Sequence, residues 1–351
     1  MAYTTIDDPS AYFQVATYAG AGGSQTVTND GNSDLKPDLV YVKNRSIGSE
    51  PTFIDTTRGG NKFLYTGGYG TSAEESANGN GIASFNTDGI TWDTVASGYF
   101  NSSGSNFVAW QWKANGGTTA NQTGSDIASV TQANTDAGFS IVTWTGNGSA
   151  GQSVKHGLGV TPNFIIFKSR SATADWFVYH QALGNTKHLH LNTTDAEATT
   201  ADFANYGPNS TNFYVNNTGL CINNVTYIAY AFAEIQGYSK FGKYVGNGNA
   251  NGPFVYTGFK PAFVILKGSS ASGSWYMLDS KRDVDNVAHH AVEAQSPAAE
   301  YTNYNFIDML SNGFKLRLGT SEVNTSGNSY IYMAFAENPF TTSTGVPTTA
   351  R

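Results

Sequence analysis

"TYIAYAFAE" (Thr226–Glu234) returns a hundred residues later as "SYIYMAFAE" (Ser329–Glu337), and "NFVAWQWKA" (Asn106–Ala114) is a more distant third copy. In an extended strand the side chains alternate. Ile228, Tyr230 and Phe232 therefore share one face, and Tyr227, Ala229, Ala231 and Ala233 the other. The large face becomes Ile331, Met333 and Phe335 in one copy and Val108, Trp110 and Trp112 in the other. One face fills a core, and the smaller one lets a neighbouring layer come close. Gln111 and Lys113 fall on the small-residue face of the earliest copy, which predicts a wet face there and covered faces in the other two.

Two further anchors keep step with this closing strand. An aromatic strand ends on glycine in "FQVATYAG" (Gly20), "FSIVTWTG" (Gly146) and "KFGKYVG" (Gly246). A proline leads an apolar run in "KPDLVYVK" (Pro37), "TPNFIIFK" (Pro162) and "KPAFVILK" (Pro261), which reads as a strand buried on both faces. Glycine-to-proline steps are 17, 16 and 15 residues, and proline-to-closing-strand steps are 69, 64 and 68. Chance similarity would not preserve such spacing, so the pattern predicts three tandem repeats of about 105 residues.

Within each repeat lie more short strand-like pieces, such as "DWFVYHQ" (Asp175–Gln181) and "GFKLRLG" (Gly313–Gly319), separated by Gly, Asn and Ser turns. The expected fold is all-β: three tandem β-sandwiches, jelly-roll or lectin-like. Residues 1–12 form an arm, 13–115, 127–235 and 238–340 the repeats, and 341–351 a tail. A Gly/Asn/Thr linker over 115–126 predicts a hinge after the first repeat, whereas the short joint over 235–242 fixes the second to the third. Brief helical turns are expected near Asp195 and near Pro297, the latter capped by Ser296.

Composition narrows the function. Only 13% of the 351 residues are charged, and 39 Gly and 33 Asn dress the surface in place of charge. A net charge of −7 without a basic cluster removes the electrostatic term on which nucleic-acid binding rests. The start "MAYTTIDDPSAYFQ" lacks a signal-peptide pattern, and no apolar run approaches a membrane span, so no membrane insertion and synthesis in a cytoplasm are expected. Cys221 stands alone in an apolar run and reads as a buried hydrophobe.

The runs "FKPAFVILK", "YIYMAFAENPF", "GFSIVTWTGNGSAGQSVKHGLGVTPNFIIFK" and "DLKPDLVYVKNRS" followed by "DTTRGGNKFLY" resemble a family of repeat-containing proteins encoded by tailed phages of marine bacteria, cyanobacteria especially. The resemblance covers essentially the whole chain. It implies a structural protein at the virion surface, of the tail-fibre or appendage kind, and brings no biochemical activity with it.

The search for chemistry is sparse. His188 and His190 would share a strand face at a spacing zinc can use, but a third ligand is not evident, so a solvated or stacking role is expected. Adjacent His289 and His290 would point to opposite faces of a strand, and His156 sits in a turn. Asp55 with Arg58, and Asp279 with Arg282, form Asp-x-x-Arg pairs at matching places, where the middle repeat has His180 and Leu183. Such a pair orients a loop or contacts a polar ligand. "NDGNSD" (Asn29–Asp34) echoes a calcium loop, but Tyr41 stands where a bidentate Glu is needed. No metal ligand set, cofactor motif or catalytic constellation is read.

The expected function is a non-enzymatic virion adhesin contributing to recognition of a host-surface polysaccharide or receptor. Candidate glycan contacts are Trp176, Trp275, His188 and His190, although matching positions for the two tryptophans also suit a core. Partners would be other virion proteins and further copies of the chain, as in homotrimeric fibres. A capsid decoration or head-fibre protein docked through its terminal arm or tail is the alternative, and a polysaccharide depolymerase a third.

Overall fold

The computed structural model describes residues 2–76, 79–94, 98–121, 124–319 and 322–348. Met1 of the expected arm, Gln122 and Thr123 of the expected linker, and residues 349–351 of the expected tail lie outside the described residues. The chain is all-β; among the described residues there is a single 3-10 turn, at Pro9–Ala11, and no helix is long and apolar enough to cross a membrane.

Three large antiparallel sheets share one strand order. In the first, the opening strand Phe13–Ala19 pairs with the closing strand Asn106–Trp112, which pairs with the proline-led strand Leu39–Asn44, followed by Thr52–Asp55, Lys62–Tyr65 and Glu75–Ser76. The second repeats this order with Phe139–Thr145, Thr226–Phe232, Phe164–Ser169, Phe177–His180 and Lys187–His190, and adds strands at both edges. The third uses Ser239–Val245, Ser329–Pro339, Phe259–Gly268, Tyr276–Asp279 and Val292–Glu293. Here Pro261 sits at a register shift inside the strand, where a bulge absorbs its missing N–H.

A small sheet covers one face of each large sheet, making three sheet pairs of the sandwich kind, here called lobes. Each encloses its own core. In the second lobe, Tyr227, Ala229 and Ala231 pack with Val154, Phe213 and Val215 of the small sheet, and the alanines let the two layers approach. The opposite faces of all three large sheets meet in one central core. Ile228, Tyr230 and Phe232 bury there with Val108, Trp110 and Trp112 and with Ile331, Met333 and Phe335. The Phe335 ring alone lies 5.0 Å from Phe13, 5.8 Å from Trp112 and 5.8 Å from Phe232, touching all three lobes. Burying each such side chain contributes about 1.5–3 kcal/mol, so the large face cannot be left to water.

That face overturns the expectation of a hinge between the first of the tandem sandwiches and the other two. The lobes lean on one another in a triangle. At the first joint, Asp38 accepts from Gln132 Nε2 (2.7 Å) and from Ala114 N (2.8 Å), while Gln132 Oε1 accepts from Thr57 (2.8 Å), so the linker spans a bonded contact. Nor is the first lobe's small-residue face wet. Gln111 is fully buried and donates to Asn29 Oδ1 (2.6 Å), a polar pair closed within the sandwich; only Lys113 is partly exposed.

The helical turns near Asp195 and Pro297 do not form, because their backbones bond to another lobe. Glu197 N donates to Ser269 O (2.8 Å), Ser49 N to Pro297 O (2.7 Å), and Glu300 N to Arg45 O (3.0 Å). Ser296 still caps locally, accepting from Ala298 N (3.1 Å).

The glycine anchors have one shared cause. A Cβ at Gly20, Gly146 or Gly246 would lie 2.2–2.3 Å from the backbone oxygen of Ser102, Ile222 or Thr325, where the chain returning to the closing strand crosses. Gly146→Ala should lower the free energy of unfolding by about 1–3 kcal/mol in urea titration. Gly117→Ala, with nothing within 4 Å, should change it by less than about 0.5 kcal/mol.

Candidate functional site: lobe junctions and the cleft between them

The two Asp-x-x-Arg pairs sit at lobe junctions, fully buried. Arg58 Nε bonds Asp55 Oδ2 (2.5 Å), and Asp55 also accepts from the Tyr230 hydroxyl of the second lobe (2.8 Å). Arg282 Nε bonds Asp279 (2.7 Å), which accepts from Trp110 Nε1 of the first lobe (3.1 Å). Each arginine reaches a glutamate that a second arginine holds from the neighbouring lobe: Arg58 and Arg170 on Glu74, Arg282 and Arg45 on Glu300. Burial works to raise both glutamates, but the guanidinium pairs outweigh it and hold them below the usual range.

The remaining junction shows why His180 replaces aspartate. Met333 stands where Trp110 and Tyr230 stand, and a thioether has no proton to offer a carboxylate. A buried Asp there would lack a partner; the neutral imidazole instead meets the carbonyl of Tyr332 (3.3 Å) and accepts from Ala182 N (3.0 Å). Burial pushes His180 down to about 4.

Sequence reasoning missed three lysines, although the signal was present: each stands six residues after the anchor proline. Lys43, Lys168 and Lys267 end the proline-led strands, fully buried. Lys43 Nζ donates to Ser49 O and, in the third lobe, to Ser296 O, both at 2.8 Å. Lys168 donates to Ala174 O and to Gly70 O of the first lobe (2.9 Å). Lys267 donates to Gly273 O (2.6 Å) and to Thr194 O of the second (2.9 Å). Every lysine thus bridges a carbonyl of its own lobe and one of the next. Burial pushes Lys43 down to about 7 and the other two to about 8. A neutral amine still carries two N–H donors for two carbonyls.

Above this ring of lysines opens a cleft of about 590 Å³ walled by all three lobes, including Thr71, Asp175, Asn192, Glu293 and Gln295. Tyr69, between the lining residues Gly68 and Gly70, is exposed, with its ring 6.3 Å from Tyr65. Asn192 and Gln295 accept from the backbone N–H of Trp176 (2.8 Å) and Trp275 (2.9 Å). The tryptophans themselves cannot touch a glycan: they are 0% and 1% exposed, their indoles donating to Tyr65 O (2.7 Å) and His190 O (2.9 Å) across junctions. His188 and His190 share a face, rings 4.5 Å apart, each largely buried against Phe177. Asp202 lies 3.6 Å from His188 and Asp175 4.0 Å from His190, acidic neighbours that linear order concealed.

His289 and His290 are in a loop and turn to the same side, correcting the expectation of opposite faces; both meet Asp283. Within "NDGNSD", Asn29 is spent on Gln111 and Asp30 pairs with Lys281. The arm is not free to dock elsewhere. Ile6 is buried in the central core, Thr4 donates to Gln236 O (2.8 Å), and Asp7 accepts from Ser343 of the tail. Both terminal segments thus gather where the closing strands end, whereas the lysines pair near their starts, with Val108, Ile228 and Ile331. Cleft and termini occupy opposite ends of the molecule.

Paired antiparallel sheets joined through buried junctions define an all-β protein of the sandwich kind. A family model for a domain of unknown function, DUF7483, matches residues 8–339, and the chain belongs to that family. No curated protein and no solved structure matches.

Removing Asp279 as Asp279→Ala strands Arg282 and the Trp110 indole, and should lower stability by about 3–5 kcal/mol in denaturant titration. The lysines set a pH dependence. An unfolded lysine keeps its proton to about pH 10, while the buried ones release theirs near 7 to 8, so the unfolded chain binds more protons in between. Stability should therefore rise from pH 7 to pH 9, read as a rising Tm, and Lys43→Met should flatten the rise. On the acid side, His156 and His180, both pushed down to about 4 by burial, make stability fall as pH drops from about 6.5 toward 4.

Proposed function

We propose that the chain is three copies of one sandwich unit of about 105 residues, fused so that one polypeptide builds the triangular body a homotrimeric fibre builds from three. In this reading it is a non-enzymatic surface protein of a tailed-phage virion, with its terminal end toward other virion proteins and its cleft end toward the host polysaccharide. The sequence resemblance supports the phage setting. The carrying observation is the cleft: hydroxyls, side-chain amides and two carboxylates from three lobes converge there, groups that hydrogen-bond sugar hydroxyls.

A glycan array is the test. The wild-type chain should bind a subset of bacterial surface glycans, and Thr71→Trp, which fills the cleft from an exposed position on its wall, should weaken binding at least about tenfold, or 1.4 kcal/mol. Absence of any glycan binding would discard the adhesin and leave decoration of the particle. Asp175 and Glu293 in one cleft give the depolymerase reading its own footing. Shortening of a bound polysaccharide by the wild type but not by Asp175→Asn would establish that reading.

A further inference from the structure

One loop of the third lobe breaks the correspondence between lobes. Thr52, Phe177 and Tyr276 pair with Tyr65, His190 and Glu293, which fixes equivalent positions across the three sheets. From Arg58 to Tyr65 and from Leu183 to His190 the chain takes 7 residues; from Arg282 to Glu293 it takes 11. That longer loop contains Asp283, His289 and His290, for which the other two loops have no counterparts.

The three side chains converge. His289 Nδ1 lies 3.1 Å and His290 Nδ1 2.7 Å from the same carboxylate oxygen, Asp283 Oδ1, and the three atoms all lie within 4.8 Å of one another. Asp283 Oδ2 accepts from the main-chain N–H of His289 (3.0 Å) and of His290 (2.9 Å), so the carboxylate is locked with its other oxygen aimed at the imidazoles. Its side chain is 1% exposed, and among the described residues no lysine or arginine pairs with it. A carboxylate buried without a cation is costly, and outer hydrogen bonds that orient a ligating oxygen are a regular feature of metal sites.

We propose that Asp283 Oδ1, His289 Nδ1 and His290 Nδ1 bind a divalent transition-metal ion of the zinc type, with water completing the shell. Imidazole and carboxylate are the ligands such ions take, at bond lengths of about 2.0–2.2 Å. Tetrahedral bonds of that length set ligand atoms about 3.3–3.5 Å apart, so the His289 imidazole must swing outward by about 0.2–0.4 Å and that of His290 by about 0.6–0.8 Å. Their side chains, 44% and 23% exposed, have room to do so. Each neutral imidazole that donates from Nδ1 in the free loop moves that proton to Nε2, freeing the Nδ1 lone pair for the metal with no net proton change. The metal would clamp the added loop onto the third lobe.

The test is calorimetric titration of ZnCl₂ into the untagged full-length chain after dialysis against EDTA, with Co²⁺ visible absorption as a second readout. One ion per chain is expected, with bands from nitrogen and oxygen ligands. Loss of an outer-shell partner costs metal sites about 10–100-fold, so losing a direct ligand in His289→Ala or His290→Ala should weaken uptake at least about 100-fold. His289 is half-exposed, so that variant keeps its fold. The double variant His188→Ala/His190→Ala, altering the other close histidine pair, should bind as the wild type does. No uptake at micromolar zinc, uptake unchanged in both His289→Ala and His290→Ala, or uptake abolished only in the His188/His190 variant would each overturn the assignment.

Discussion

Everything in this molecule depends on covering the large-residue face of each closing strand. A sandwich normally buries one face of each sheet and leaves the other to water. Here the large sheets are apolar on both faces, because Ile, Tyr, Trp, Met and Phe continue on the side away from the small sheet. No lobe can satisfy that face alone, and two lobes would leave an open wedge. Three close it, and the triangle follows from side-chain volume with no need for a special linker.

An apolar centre sets no register of its own, and the buried polar groups at its margins supply one. Each junction brings carbonyls, a lysine and a ring-bearing side chain from different lobes into fixed pairs. Buried ion pairs contribute little net stability, but breaking one is costly, which makes them effective against misdocking. The His180 and Met333 pairing makes the logic visible, since the acid is absent only where the facing strand supplies no donor. The four arginines are likewise spent on two junctions, with Leu183 and Ser269 in their places at the third, where Glu197 N donates to Ser269 O as Glu74 N does to Arg170 O and Glu300 N to Arg45 O. Residues that look like a site in linear sequence, such as Asp55 with Arg58, are therefore committed to assembly of the chain.

Much of the fold was legible because strand alternation and spacing are local properties. The glycine anchors, the proline-led strands and the two-faced closing strand are all visible in one dimension. What covers the large face was not, since the same pattern serves a row or a triangle. Gln111 misled because a polar residue opposite alanines suggests water, whereas Asn29, 82 positions away, completes it. Trp176 and Trp275 could be read as core or as sugar platforms until their indoles were seen to donate across junctions. The cleft was illegible altogether, being assembled from loops of three lobes, and the Asp283 cluster was hidden by treating a loop as a strand.

The central claim is that the three lobes form one folding unit around a common core. Scanning calorimetry of the full-length chain tests it most directly, through the ratio of calorimetric to van't Hoff enthalpy. A single transition with a ratio near one is the result this architecture requires. Separate transitions, or one broad transition with a ratio near three, would mean that each lobe melts alone, and would contradict a shared core.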